Sequence, residues 1–185
     1  MPVRYVFLDR DGVIDRKPPE GEYITQSGQL ELLPGAAEAI ARLNRSGRTV
    51  IVVTNQRGIA LGLMTEADLA RIHDHLRAKL AQAGAHLDAI YHCPHDRGQC
   101  ACRKPATGMI ESAFRDFPGA MPENSILVGD SLSDIECGLR AGMRTLLIEG
   151  DPGRRKPGFE AAAAQATAQV ASLAAAVALI LEDYG

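Results

Sequence analysis

Two carboxylates, Asp9 and Asp11, leave the end of a short apolar run, Tyr5 to Leu8, in the order Asp9-Arg10-Asp11-Gly12. If the chain stays extended there, the period of two puts both side chains on one side, where their repulsion must be offset by a cation or a shared proton. A magnesium ion meets that demand with a few carboxylates and several retained waters. A solvated turn closed by Gly12 is the alternative the motif alone leaves open. Val50 to Val53 runs into Thr54-Asn55-Gln56, whose hydroxyl, amide and backbone N–H groups can surround phosphate oxygens, although ordinary turn residues would look the same. Arg103-Lys104 supplies two neighbouring cations, or an exposed basic pair. Gly129-Asp130-Ser131-Leu132-Ser133-Asp134 brings two more carboxylates one helical turn apart. Helix capping explains either of these singly, but not their recurrence beside the other three clusters.

Three of the four cysteines lie between Cys93 and Cys102 and combine with a histidine as C-x-H-x4-C-x-C, namely Cys93, His95, Cys100 and Cys102. Four sulfur and nitrogen donors suit tetrahedral Zn²⁺ with no open position, a structural rather than water-activating site, with incidental thiols as the alternative. Because Arg103 and Lys104 follow Cys102 directly, a zinc loop here would fix both cations.

The elements carrying these clusters follow from hydrophobic periodicity. Strands are expected near Tyr5–Leu8, Thr49–Val53, Ala89–His92, Ile126–Val128 and Thr145–Ile148. Helices fit Pro34–Asn44, Glu66–Ala83, Gly108–Phe114, Leu132–Ala141 and Leu173–Glu182, with Thr65 and Ser172 as N-caps. Continuous apolar strands alternating with helices predict an α/β fold, a parallel sheet covered on both faces, whose ligands sit at the carboxyl ends of the strands. Residues 15–29, 93–104 and 150–158 read as loops. The Ala-rich tail, with Val170, Leu173, Val177, Ile180 and Leu181, suits a helix packed on one face. Gln165, Thr167, Gln169 and Ser172 interrupt it too often for a membrane span.

A chain of 185 residues with 46% apolar and 23% charged residues predicts one folded domain over residues 1–185 and excludes general disorder. Its 20 basic and 23 acidic residues leave a formal charge of −3, so no global basic field exists for nucleic acid or an anionic membrane. Met1 to Tyr5 lacks the pattern of a secretory signal, so a cytoplasmic location is expected, and a monomer. Cys137 reads as a small buried hydrophobe, and His73 and His75, two apart on a helix, as packing or surface residues. His86 and His92 show no partner pattern, and Arg154-Arg155-Lys156 reads as a solvated loop.

Taken together, the four strand-end clusters resemble the signature of the haloacid dehalogenase superfamily of phosphatases. The resemblance implies a three-layer, Rossmann-like, capless domain in which Asp9 is the nucleophile forming an aspartyl-phosphate and Asp11 the general acid and base. It also implies that Thr54 and Lys104 hold the phosphoryl group and that Asp9, the Asp11 carbonyl and Asp130 bind Mg²⁺. Asp134 would orient Lys104 or a water ligand. Neither the Asp9–Thr54 nor the Thr54–Lys104 interval has room for a full cap domain, so an open site closed only by the 15–29 and 93–104 loops is expected.

The stretches DRDGVI, VVTNQRGIALG, CPHDRGQCACRKP and VGDSLSD are similar to the D-glycero-D-manno-heptose 1,7-bisphosphate phosphatases, with a zinc loop shared with histidinol-phosphate phosphatase. Gly58 to Gly62 followed by Thr65-Glu66 looks like the heptose branch. By that resemblance Arg103 recognises the sugar bisphosphate, and Arg10, Asn55, Gln56, Arg57 and the loop Glu20, Gly21, Glu22 and Tyr23 line its pocket. The family removes the 7-phosphate ahead of nucleotide activation of the heptose. Ser131, where many heptose enzymes carry a cation, and Arg16-Lys17-Pro18-Pro19 depart from the pattern and bear on substrate choice and anomer. Histidinol phosphate or another small sugar phosphate is the alternative substrate. A non-catalytic zinc module or a phospho-accepting signalling domain is the alternative of another class, although Asp11 beside Asp9 favours hydrolysis over storage.

Overall fold

The computed structural model describes residues 1–150, 152–155 and 157–184. Six strands form one parallel sheet in the order β3-β2-β1-β4-β5-β6. They are β1 (Tyr5–Leu8), β2 (Thr49–Asn55), β3 (Ala89–Cys93), β4 (Ser125–Gly129), β5 (Arg144–Ile148) and β6 (Ala168–Val170). The helices among the described residues are α1 (Ala36–Arg45), α2 (Glu66–Ala81), α3 (Gly108–Asp116), α4 (Leu132–Arg140), α5 (Phe159–Gln165) and α6 (Leu173–Asp183). The expected α/β, three-layer Rossmann-like architecture is the one observed.

Strand alternation divides the core. Val6, Leu8, Val50, Val52, Ile126, Val128, Leu146 and Ile148 face the layer of α1, α2 and α6. On the other face, Phe7, Ile51, Val53 and Leu127 pack with Met109, Ile110 and Ala113 of α3, while Leu147 meets Phe159 and Ala162 of α5. Every strand of the centre is therefore apolar on both faces, as a sheet covered twice requires. In β1, β2 and β4 the polar residues lie at the ends of the strand.

Thr65 and Ser172 cap their helices as expected, their hydroxyls accepting from the N–H groups of Asp68 and Ala175. The tail differs from its expectation. Its Ala-rich segment divides into α5, the short edge strand β6 and α6, so Val170 pairs with Ile148 instead of joining a helical stripe. A three-residue strand is too short to show a period, and its pairing depends on β5, which sequence windows do not include. No helix among the described residues is long and apolar enough to cross a membrane. Of the Arg154-Arg155-Lys156 run, Lys156 lies outside the described residues.

The strand order reverses direction of growth between β1 and β4. A parallel sheet of this kind leaves a crevice beyond the carboxyl ends of those two strands, because the following helices go to opposite faces. Asp9 follows β1 and Asp130 follows β4 directly.

Candidate active site

Lys104 is the centre of the site. Its side chain is 2% exposed, and its ammonium lies 2.9 Å from Asp9 Oδ1 and 2.6 Å from Asp134 Oδ1 while donating to the Val53 carbonyl at 2.7 Å. Burial opposes the charged form, but Asp134 and Asp9 outweigh it and raise the pKa of the lysine above its ordinary value. A lysine has three N–H donors, and here each has an acceptor within the protein.

Asp134 is buried in the first turn of α4, where its Oδ2 accepts from the Ser131 N–H at 3.1 Å and from the Ser131 hydroxyl at 2.5 Å. One side chain thus closes the helix N-terminus and holds Lys104. Gly129 makes this possible, since a Cβ there would stand 2.2 Å from Asp134 Cβ. At Gly12 the fit is equally close. Its φ is +94° and a Cβ would lie 2.3 Å from Asp130 Oδ2, so the loop after β1 presses its backbone onto the Asp130 carboxylate.

Carboxylate oxygens of Asp9, Asp130 and Asp134 lie within 4.8 Å of one another. Asp134 holds Lys104 through one oxygen and the start of α4 through the other, while Asp9 and Asp130, on the loops after β1 and β4, are the side chains placed to hold a metal. Two hard oxygen donors on adjacent loops fit Mg²⁺, which takes one or two carboxylates and keeps its waters. The buried Thr54 hydroxyl accepts from Gln56 Nε2 at 2.8 Å and retains its own hydrogen to donate.

Asp11 is half-buried. Its Oδ1 accepts from Arg10 at 2.8 Å and its Oδ2 from Gln56 Nε2 at 3.1 Å. The Arg10 side chain, expected to line a substrate pocket, is 1% exposed and sits beneath Asp11. Its guanidinium also lies 3.5 Å from Asp15, 3.4 Å from Gln56 Oε1 and 3.4 Å from His73 Nε2. A buried cation needs carboxylates around it, and Arg10 has Asp11 and Asp15 beside it, although its Nε–H is left without a hydrogen-bond partner among the described residues. Gln56 is buried in the same network. Both residues position Asp11 rather than face a ligand.

Asn55 likewise points into the protein, donating to the Lys104 carbonyl at 3.1 Å and accepting from the Lys104 N–H at 3.0 Å. Arg57 forms two hydrogen bonds to Asp96, at 2.6 and 3.2 Å, and also bonds Tyr23, whose ring stands over Gly58. Arg57 and the neighbouring Arg97 N–H hold the Asp96 carboxyl down at about 2. Arg103 donates to the His95 carbonyl at 3.5 Å and stays half-buried at the rim. The structure therefore brings Tyr23 to Arg57, but leaves Glu20, Gly21 and Glu22 exposed at a turn, away from these contacts.

Cys93, His95, Cys100 and Cys102 converge, their donor atoms within 4.8 Å of one another. The sulfur separations are 3.2–3.5 Å, and His95 Nδ1 lies 3.3 Å from Cys102 Sγ and 3.7 Å from Cys93 Sγ. Ligands at tetrahedral metal–sulfur distances stand about 3.8 Å apart, so the cluster is already close to that spacing.

Sequence reasoning missed Asp15, Lys17, His73 and Asp96. None has a motif of its own; Lys17, His73 and Asp96 matter through partners distant in sequence, and Asp15 through the buried Arg10 five positions before it. Lys17 is ion-paired with Asp130. His92 does have a partner, Glu66 at 2.8 Å, and His86 lies 3.7 Å from Asp88. Cys137 is buried as expected, and burial pushes its thiol up to about 12.

A family model described as HAD-hydrolase-like matches residues 101–176. The D-glycero-alpha-D-manno-heptose-1,7-bisphosphate 7-phosphatase of Mycobacterium bovis is 47% identical over 132 residues, 71% of this chain and 69% of that protein. The corresponding beta-anomer phosphatase of Bordetella bronchiseptica is 39% identical over 158 residues, 83% of this chain and 84% of that one. This chain belongs to the heptose-1,7-bisphosphate 7-phosphatase family. The D,D-heptose 1,7-bisphosphate phosphatase of B. bronchiseptica, in a crystal structure with magnesium and phosphate, aligns with a TM-score of 0.86 at 34% identity, covering 98% of this chain and 99% of that one. As a heptose bisphosphate phosphatase family member with a haloacid dehalogenase-like fold, the protein is a hydrolase. The family resemblance that the motifs carried is thus the family the comparisons show.

Proposed function

We propose that this phosphatase domain, residues 1–185, removes the 7-phosphate of D-glycero-D-manno-heptose 1,7-bisphosphate and leaves the 1-phosphate for nucleotide activation of the heptose. The observation that carries this reading is the meeting of Asp9, Thr54, Lys104, Asp130 and Asp134 at the carboxyl ends of β1, β2 and β4.

In this reading Asp9 attacks phosphorus, an O–P bond forming as the bond to the sugar oxygen breaks. Asp11 gives its proton to the leaving alkoxide and later takes one from the water that cleaves the aspartyl-phosphate. Arg10 and Gln56, each holding one Asp11 oxygen, set the plane of that carboxyl. Lys104, which also orients Asp9, and the Thr54 hydroxyl hold the phosphoryl group. Asp9, Asp130 and the Asp11 carbonyl would hold Mg²⁺, which would supply charge stabilisation for the in-line displacement.

The Cys93, His95, Cys100 and Cys102 cluster takes structural zinc in the same proposal. Three thiols this close cannot all ionise without a cation. Against the cost of its burial, hydrogen bonds from Cys102 and the Arg103 N–H pull the Cys100 thiol down to about 6, while burial and its neighbours push Cys102 up to about 12. A metal with four protein ligands would stiffen the loop that ends in Arg103 and Lys104.

The test is Mg²⁺-dependent phosphate release from both anomers of heptose 1,7-bisphosphate and from histidinol phosphate, with Asp9→Asn as control. Turnover of a heptose anomer, abolished in Asp9→Asn, is expected. Preference for histidinol phosphate overturns the substrate, and wild-type activity in Asp9→Asn overturns the nucleophile.

A further inference from the structure

Helix α2 buries Leu69, Ile72, Leu76 and Leu80 against the sheet, and one polar side chain, His73, is buried among them. A buried imidazole costs free energy unless its nitrogens find partners. Its Nε2 lies 3.4 Å from Arg10 Nη1, and Nη2 of the same guanidinium donates to Asp11 Oδ1 at 2.8 Å. We propose that His73 is a positioning residue of the reaction, acting through Arg10 to aim the Asp11 carboxyl at the leaving oxygen. This role rests on the proposed hydrolysis at Asp9.

Three observations support it. First, an arginine only donates, so His73 Nε2 accepts from Nη1 and the ring carries its proton on Nδ1. Burial, with the charges of Arg10 and His92, keeps that ring neutral. Second, the acceptors around Arg10 divide its fork. Nη2 serves Asp11 and, at 3.4 Å, Gln56 Oε1, while Nε faces Asp15 Oδ2 at 3.5 Å without a hydrogen bond. Among the described residues His73 is therefore the hydrogen-bond partner of Nη1, and holding both terminal nitrogens of a planar guanidinium fixes the rotation of the group that carries Asp11. Third, His73 is itself held from behind. The His92 ring of β3 meets it edge-on at 6.1 Å, and His92 Nε2 lies 2.8 Å from Glu66 at the start of α2. Glu66, His92, His73, Arg10 and Asp11 thus form one chain of contacts from an exposed carboxylate to the site.

A general acid helps only when it reaches the leaving oxygen, and its value depends on the leaving group. A sugar alkoxide takes the Asp11 proton as its bond to phosphorus breaks, whereas p-nitrophenolate is a stable anion with little need of one. kcat/KM covers the steps through formation of the aspartyl-phosphate, so the later work of Asp11 on water does not enter. At saturating Mg²⁺, His73→Leu is expected to lose about 10- to 10²-fold in kcat/KM on heptose bisphosphate but about threefold or less on p-nitrophenyl phosphate. His73→Gln, whose amide oxygen reaches the place of Nε2, should recover most of the loss, and His73→Asn, polar but too short to reach, should not. That pair carries the test where a thermal melt shows the apolar variant unfolded. Equal losses on the two esters, or His73→Gln no better than His73→Asn, overturns the proposal, because a merely structural role lowers turnover of every substrate alike. A wild type that hydrolyses histidinol phosphate in place of heptose bisphosphate overturns the substrate reading, and the same contrast read on that alkyl ester decides the role of His73. A wild type that hydrolyses none of the three overturns the hydrolysis at Asp9 and this role with it.

Discussion

Asn55 and Lys104 exchange two hydrogen bonds, the amide of one accepting from and donating to the backbone of the other at 3.0 and 3.1 Å. The end of β2 is thereby latched to the last turn of the cysteine loop, and the ammonium that orients Asp9 is placed by an amide side chain. Asn55→Ala is expected to lower kcat about tenfold or more and stability by about 1–3 kcal/mol, since it strands two backbone groups of a buried residue. Steady-state kinetics with a thermal melt checks this. Unaltered kcat would show that Lys104 finds its place without the latch.

Cys100→Ser tests the loop from its other end. If the cluster takes zinc as proposed, the variant is expected to lack the metal by elemental analysis and to fall about tenfold or more in kcat/KM as Arg103 and Lys104 lose their anchor. A verified zinc-free protein with full activity contradicts that coupling.

Gly12→Ala places a methyl group against Asp130 Oδ2 at a backbone φ of +94°. The carboxylate must give way, so Mg²⁺ affinity should drop about tenfold or more. The left-handed backbone adds a stability cost of about 1–2 kcal/mol. Calorimetric Mg²⁺ titration of a folded Gly12→Ala protein with unchanged affinity would remove Asp130 from the metal site.

His73 gives a pH dependence of stability. Burial first, then the charges of Arg10 and His92, carries its pKa down from 6.5 to about 3, with Asp11 acting the other way and Arg77 adding to the lowering. Between these values the unfolded chain takes up a proton that the folded one refuses, so stability is present above about pH 6.5 and is lost as the pH falls toward 3. The contribution reaches about 1.4 kcal/mol per pH unit within that window. Denaturant melts from pH 7.5 to 4 should show a shallower slope in His73→Leu, on top of a uniform loss from leaving Arg10 short of an acceptor. Equal slopes in the two proteins would mean that His73 is protonated in the native state.

The catalytic and metal candidates were legible because each sits where a strand pattern stops. Apolar continuity marks β1, β2 and β4, and the polar residues that end or immediately follow these runs, Asp9, Thr54 and Asp130, break the apolar pattern. The cysteine cluster was legible for a different reason, since its four donors are neighbours in the chain and their spacing alone defines a ligand set. Arg10 was misread by the same local logic. A charged residue between two aspartates looks solvent-facing in sequence, and only the burial of Asp15, Gln56 and His73 around it reveals an internal cation.

The amino-acid order by itself therefore determined the α/β architecture, the four strand ends and the metal-ligand spacing, because periodicity and spacing are local properties that survive without the fold. The tertiary structure alone decided which of those residues face a substrate and which face each other. Lys104 meets Asp9 and Asp134, Arg10 meets His73, and Lys17 meets Asp130 through contacts between elements far apart in the chain. The strength of a charge or hydrogen bond depends on burial and on the partner's position, and neither is written in a run of neighbouring residues.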